Sequence, residues 1–588
     1  MRADCANFAI WEQAQDQPAT GGKKMHSHKH QTIVGLAAIA LLAAGCSAEQ
    51  TNTAQENDAQ METAAANNIE GHNSVIEGVV TDANGEPVAG AFVKLHDADQ
   101  RLSFMYISQD GGRFTATKLP AGNFEVQGVG GEFESAWSAP VTIGANETGQ
   151  MDISLNVERA PDLPYAWPRR VNEAASTLDT LPAGAGKDIA AQKCVLCHTI
   201  NRVAASRKDA NDWANTIQTM VELAEGSDIE LLSDDEHATL YEYFVANLPA
   251  IETPPDPNAR LPRQLMTSEA RNYRVVQYDL PNIGAEPHDV AVDHHGHGWA
   301  NQRVGGLVSH FNPVTYEYEE IGPPLYTRER ARPGNLQISK DGTMWLPDPF
   351  EVRWLSYDID NKRWTDYPYP IESIRGNVQG NSMALHPDGT IWESGPGSAR
   401  RLNPATGEWS DWDTPSYEAG IADPGGYGNT IDGAGRFWLA LEVVNKMARF
   451  DGETGEVVEY PIPVPESFPR RMDTDPNGDV WVALWAAGKF VHINHLTGDM
   501  TVVDAPVEHG GAYALDFDDS SGNFWTTMHT ADLISRYDPE AEEWLNLPLM
   551  QSETDVRRVE VDQNNPNRIW WSGVAYNARI GFVELLDD

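Results

Sequence analysis

Cysteine is scarce: 588 residues carry four, Cys5, Cys46, Cys194 and Cys197. That excludes a disulfide-stapled scaffold and leaves folding to buried apolar surface, for which the chain is long enough to form roughly three or four domains. Basic residues are short as well, 42 Lys and Arg against 87 Asp and Glu, a net charge of −45. Such a surface repels phosphate backbones, which excludes nucleic acid as a partner. Long apolar runs are missing too. The one candidate, Thr32 to Ala44, is shorter than the roughly 20 residues a spanning helix needs, and it follows Lys23, Lys24 and Lys29. It reads as a secretory signal, so the chain is expected in the cell envelope.

The signal ends in Leu42-Ala43-Ala44-Gly45-Cys46, which resembles the lipobox of bacterial lipoproteins. The resemblance implies lipid on Cys46 and residues 1–46 as the signal region, with Met25 as the natural start. Because Ser47 and not Asp follows, it also implies an outer-membrane address facing the periplasm or the cell surface. Residues 47–73, rich in Ala, Asn, Gln, Glu and Thr and without Phe, Trp or Tyr, cannot bury enough surface to fold and form a tether.

The most specific local signal is Cys194-Val195-Leu196-Cys197-His198. Two thiols about one helical turn apart, followed directly by an imidazole, suit covalent attachment of one haem c, with His198 as the proximal iron ligand. No second cysteine pair exists to complete a zinc tetrahedron, and no βαβ setting supports a redox dithiol. The pattern predicts helices over Lys187 to Gln192, Trp213 to Leu223 and Glu236 to Leu248. Between linkers at 158–180 and 251–269, residues 181–250 therefore form a small all-α unit that resembles a class I cytochrome c. Met220 is the expected distal ligand, a thioether suited to electron transfer; its other reading is a core methionine. His237, the rival ligand, follows the N-cap run Ser233-Asp234-Asp235-Glu236 and is expected to face water.

From Val75 the pattern shifts to short alternating strands parted by turns such as Asp82-Ala83-Asn84-Gly85-Glu86-Pro87. Residues 74–157 are expected to form a β-sandwich and resemble the carboxypeptidase regulatory-like domain. No catalytic constellation stands out in it, so its expected role is that of a spacer.

The C-terminal half is repetitive. Trp299, Trp345, Trp392, Trp438, Trp481, Trp525 and Trp570 are 46, 47, 46, 43, 44 and 45 residues apart, the period of a propeller blade. Gly296, Gly342, Gly389, Gly435, Gly478 and Gly522 stand three residues before the first six, and Asn567, expected to tolerate the same positive φ, before the seventh. A second turn follows in each of the first six units, as at Asn403-Pro404-Ala405-Thr406-Gly407. The fold class is thus mainly β, a seven-bladed propeller over 270–588 with four strands per blade, preceded by the sandwich and the all-α unit. Tyr273 to Pro281 resembles the fourth strands of other units and is expected to close the last blade, leaving the ring without a sticky edge. The blade pattern "Asp-x-x-Gly-x-x-Trp" resembles the virginiamycin B (streptogramin) lyase family.

Propeller ligands bind near the central axis, and the repeat places several residues around that mouth. They are Glu286, His288 and Asp289; Asn335 and Asp348; Asn381 and Glu393; Asn429 and Glu442; Arg470 and Arg471; His509 and His529; and Arg557 and Arg558. The lyase resemblance implies a magnesium or other metal ion and proton abstraction by His288, paired with Glu286. It departs from the family in one respect: only Asp348 is acidic three residues past a repeat Trp, where the family commonly has Glu. The arginine pairs suit either an anionic ligand or internal carboxylates. His294-His295-Gly296-His297 sits in a hairpin turn, where its imidazoles are expected to face water.

A haem on the same chain favours an oxidoreductase over a lyase. The expectation is an exported haem c protein whose propeller binds a small organic substrate through His288, Glu286, His529 and Arg471. Electrons would leave through the His198 and Met220 haem to a soluble or membrane partner. Two readings of other classes stand beside it: a non-redox lyase or lactonase, and a binding scaffold that presents a cytochrome.

Overall fold

The computed structural model describes residues 72–162, 178–194, 203–204, 206, 208–225, 231–249, 256–370, 382–421, 424–508, 510–574 and 578–586. The signal region, Cys46, the tether up to residue 71, Cys197, His198, Asn381 and His509 lie outside the described residues.

Six antiparallel four-stranded sheets follow one another between residues 287 and 548, each with its strands in chain order. The seventh takes three strands from 556–585 and its fourth, Tyr273–Asp279, from before the first blade, as expected. Blade 1 packs on blade 7: a Cβ on Gly298 would come within 2.2 Å of the Trp570 indole, and Phe311 meets the same ring edge-on at 6.1 Å. Each repeat Trp is buried, and Trp392 stacks on Phe437 of the next blade at 5.1 Å. In three blades the turn aspartate fixes its indole, Asp293, Asp432 and Asp475 accepting from Trp299, Trp438 and Trp481 at 2.8, 2.8 and 3.3 Å.

The six turn glycines all adopt positive φ, from 75° at Gly522 to 87° at Gly478. Asn567 does not, which corrects the expectation for blade 7. There the turn closes from Asp562 N–H to the Arg568 carbonyl, where blade 1 closes from Asp293 to His297. The longer loop reverses direction without a left-handed residue at that point.

The β-sandwich is not a detached spacer. Its strand Leu102–Ile107 pairs antiparallel with Tyr273–Asp279, so one sheet of ten strands runs from the sandwich into blade 7. Ring closure still leaves blade 7 an outer edge, and the unpaired amides and carbonyls of such an edge accept any strand of suitable register. Tyr316 of blade 1 reaches the same seam, donating to the Lys118 carbonyl at 2.9 Å. Residues 256–263 are likewise not a free linker. Asn258 and Arg260 are buried, Asn258 accepting from Lys94 of the sandwich at 2.8 Å and Arg260 pairing with Asp532 of the propeller at 3.7 Å.

The seam is electrostatic as well as hydrogen-bonded. Buried Arg274 and Glu584 meet at 2.6 Å, and Arg568 joins Glu584 at 2.8 Å. Burial would raise the Glu584 carboxyl from 4.5, but the guanidinium groups of Arg274 and Arg568 bring it down to about 2. Arg274→Ala strands a buried carboxylate and is expected to cost about 3–5 kcal/mol in urea unfolding. Because the folded value of Glu584 is depressed, its contribution is present above pH 4.5 and lost as pH falls through about 2.

Among the described residues, the helices α1 (Ala185–Lys193), α2 (Ala210–Glu225) and α3 (Asp234–Asn247) lie between sandwich and propeller in the chain. Gly186 lets α1 press against α3, since a Cβ there would sit 2.2 Å from that of Tyr243. Trp213 on α2 packs on Phe244 at 4.5 Å and donates to the Leu248 carbonyl at 2.8 Å. Ser233 and Glu236 form a capping box at the start of α3, as the acidic run suggested.

Candidate functional site

The mouth of the propeller is built where the inner strands begin, and the residues converging on it come from different blades. Blade 5 supplies Arg470 and Arg471 on the strand Pro469–Thr474; blade 7 supplies Arg557 and Arg558 on Val556–Val561. All four stand at the mouth, yet they are engaged differently. Arg471 pairs with Asp289 of blade 1, Arg557 with Asp555 at 2.8 Å and Arg558 with Glu560 at 3.0 Å. Arg470 lies among four aromatic rings, with Phe468, Tyr427, Trp485 and Tyr513 centred 4.4, 4.6, 5.4 and 5.4 Å from its guanidinium carbon.

Inside this cage the hydroxyls of Tyr427 and Tyr513 are 2.5 Å apart, and Tyr513 stacks on His529 at 4.9 Å. Burial by itself would raise the Tyr513 hydroxyl; Arg470, Arg557 and Arg471 outweigh it and bring the group below its usual value of 10.0. Tyr427 moves the other way, up, through burial and the neighbouring Tyr513. Of the pair, Tyr513 is the more acidic partner. Sequence reasoning missed both tyrosines and Trp485, which sit up to 86 residues apart on three blades.

The expected histidines are present but bound inward. His288 is buried, its Nδ1 3.0 Å from Asp289, and burial pushes its imidazole down to about 3, so it stays neutral. Glu286 takes positive φ at 52° and is only half-buried, while His288 Nδ1 contacts the Asp289 carboxylate. His529 is buried, lowered by that burial, and bonds Asp555 through Nε2. Asp348, the one acid at the lyase-like position, accepts the Arg332 N–H at 3.0 Å and faces Arg353 at 3.2 Å. Glu393 pairs with Arg400 and accepts from the Trp354 indole, Glu442 accepts the Gly426 N–H, and Asn335 accepts the Met383 N–H. These four brace blades.

Beneath the cage lies a cavity of about 270 Å³ beside the axis, lined by Asn429, Arg471, Asp473, Asp516 and Arg558 among others. Asn429 is 6% exposed, and both its amide oxygen and its amide nitrogen are enclosed without a hydrogen-bond partner among the described residues; so are Nε and Nη1 of Arg471. Buried groups left so are costly, and a ligand carrying acceptors would satisfy them. Burial raises Asp473 to about 6 and Asp516 well above its usual value, so these two acids of the wall hold protons more readily than exposed carboxyls.

Residues 75–156 match the carboxypeptidase regulatory-like domain. This regulatory-like domain meets the propeller at the outer strand of blade 7, away from the axial mouth. No curated protein matches the chain. Among solved structures, the chain is similar to a catalytically inactive virginiamycin B lyase from Staphylococcus aureus with quinupristin, at 18% identity and TM-score 0.46 over 53% of this chain and 100% of that one. A streptogramin B lyase has the same identity and TM-score, over 54% and 100%. Kuenenia stuttgartiensis hydrazine synthase follows at 13% identity and TM-score 0.43, over 52% and 98%.

The helical unit docks at the end of the propeller that carries the mouth. Arg330, between blades 1 and 2, contacts Glu222 at 3.0 Å and donates to Thr219 at 2.6 Å on α2, and to the Val304 carbonyl at 2.7 Å. Val304 N–H in turn bonds Ala285, and Arg303 N–H bonds Glu286, just before the strand that carries His288. His237, expected to face water, is half-buried, and its Nε2 is enclosed without a partner among the described residues. Met220, on α2 between the two docking residues, keeps exposed surface. Cys194 is half-buried at the end of α1 against the apolar cluster of Trp213, Leu240 and Phe244, and is in no disulfide.

Proposed function

We propose that the protein is an exported haem c electron-transfer enzyme that binds a small organic anion in the propeller mouth and withdraws electrons from it. Cys194 and Cys197 would hold the haem by thioether bonds, His198 and Met220 from its two faces. Haem bound there would supply a one-electron redox centre. The half-buried Cys194 beside an apolar cluster fits such a group.

The chain's own residues account for the rest. Arg471 and Asn429 orient the anion through donors that have no other partner. Tyr513, made acidic by its guanidinium neighbours, would act as the phenolate, held by a hydrogen bond from Tyr427, and take a proton from the bound substrate to become a neutral phenol. His529 and Asp555 hold the Tyr513 ring from the side. The observation that carries this reading is the Arg330 contact, which sets the helix bearing Met220 at the mouth where the arginines and tyrosines converge. Arg330→Glu faces Glu222 with a like charge. It is expected to slow substrate-driven haem reduction about tenfold or more while dithionite reduces the haem as before; an unchanged substrate rate contradicts the reading.

The acidified Tyr513 also favours a second reading, a non-redox lyase that uses the same proton abstraction on a lactone or ester. Such an activity would need magnesium and no haem.

A further inference from the structure

At the opposite end of blade 1 lies a cluster that the proposed reaction does not use. His297 Nδ1 and His310 Nε2 face each other at 3.0 Å, and the ligand-capable atoms of Asp293, His297 and His310 all lie within 4.8 Å of one another. The N···N separation is close to the ~3.3 Å edge of a tetrahedron with metal–nitrogen bonds of about 2.0–2.1 Å. The second nitrogen of His310 is held by Glu319 at 3.0 Å, a carboxylate that fixes the ring with Nε2 toward His297. Metal-ligating imidazoles are oriented by such outer carboxylates. The sequence suggested imidazoles facing water in this hairpin. His294 and His295 are exposed as expected, but His297 is half-buried beside buried Asp293 and half-buried His310, which stacks on Trp299 at 4.3 Å.

The repeat supplies an internal comparison. His310 lies directly across from Trp299 in the neighbouring strand, and His492 lies likewise across from Trp481 in blade 5, where Asp475 and Asp479 take the places of Asp293 and His297. In blade 5, however, Asp479 is already taken by His492 at 3.1 Å and His495 at 2.6 Å, so its carboxylate is committed within the protein. In blade 1 Asp293 is also engaged, accepting from the Trp299 indole and from the His295 and His297 N–H groups, but no imidazole among the described residues bonds its carboxylate, and His297 Nδ1 and His310 Nε2 face each other.

We infer that Asp293, His297 and His310 form a binding site for a divalent first-row transition ion, with two imidazole nitrogens, one carboxylate oxygen and water as the fourth ligand. Two nitrogens and one carboxylate suit zinc-class ions over magnesium or calcium, which favour all-oxygen shells. His294 and His295 bind Asp360 of blade 2 at 3.3 and 3.1 Å; they pin the hairpin and are not ligands of this site.

The test is titration of the chelator-treated full chain with Zn²⁺, followed by calorimetry and by metal analysis after gel filtration. One Zn²⁺ per chain is expected, with affinity lowered at least 100-fold in His297→Ala and in His310→Ala and about tenfold or more in Glu319→Gln. The His294→Ala/His295→Ala and His492→Ala variants should bind as the parent does, and circular dichroism checks that each variant is folded. The assignment is overturned if the parent binds no Zn²⁺ or if the His297 and His310 variants bind normally. It is equally overturned if the His294/His295 or His492 variant loses the ion.

Discussion

Under the proposed function, Arg471→Gln is expected to remove substrate-driven reduction of the haem at substrate concentrations that suffice for the parent. The guanidinium is buried, its Nε and Nη1 have no partner within the protein, and it lines the axial cavity beside Asn429. Removing one member of a buried charge contact costs about 2–5 kcal/mol, so apparent affinity for an organic anion should fall about 100-fold or more. The same substitution deprives buried Asp289 of its partner, which by itself destabilises the fold. The double variant Arg471→Gln/Asp289→Asn separates the two effects: it should regain stability in urea unfolding without regaining reduction. Recovery of reduction in the double variant would mean that Arg471 serves only to neutralise Asp289.

The second large effect concerns the thiols. Cys194→Ala/Cys197→Ala leaves no sulfur to attach the haem, and haem retained after denaturation and extraction should drop to background. The propeller is built from its own sheets and should keep its circular dichroism. This variant also divides the two readings of the mouth. Electron transfer requires that all turnover vanish with the haem, whereas a lyase built on Tyr513 would keep magnesium-dependent turnover. Activity that survives in the double-alanine variant would therefore transfer the function to the second reading.

The propeller was legible because blades are held together by large buried rings at a fixed period. The seven tryptophans and their turn glycines expose that period in a single chain. The closing strand Tyr273–Asp279 was legible for the same reason, by likeness to its counterparts. Asn567 misled because its turn is longer than the others, and a longer turn needs no left-handed residue there. The sheet shared by the sandwich and blade 7 left no trace in the sequence, since edge pairing uses backbone groups that every residue has.

Burial of Asn258 and Arg260 was hidden for a related reason: their partners Lys94 and Asp532 are remote in sequence. The site was half legible. Arginine doublets stand out in so acidic a chain, but nothing local marks Tyr427, Trp485 and Tyr513, which meet only when the ring forms. His310 could have been found. Counting across the hairpin from Trp299 places it beside His297, and a histidine at the same register recurs at His492.

The most direct test of the account is anaerobic mixing of the haem-loaded full chain with a panel of small organic anions, following the visible bands of the haem. The account predicts that at least one anion reduces the haem of the parent and fails with Arg471→Gln, while dithionite reduces both. It is contradicted if no anion reduces a haem that dithionite reduces, or if the parent and Arg471→Gln are reduced alike.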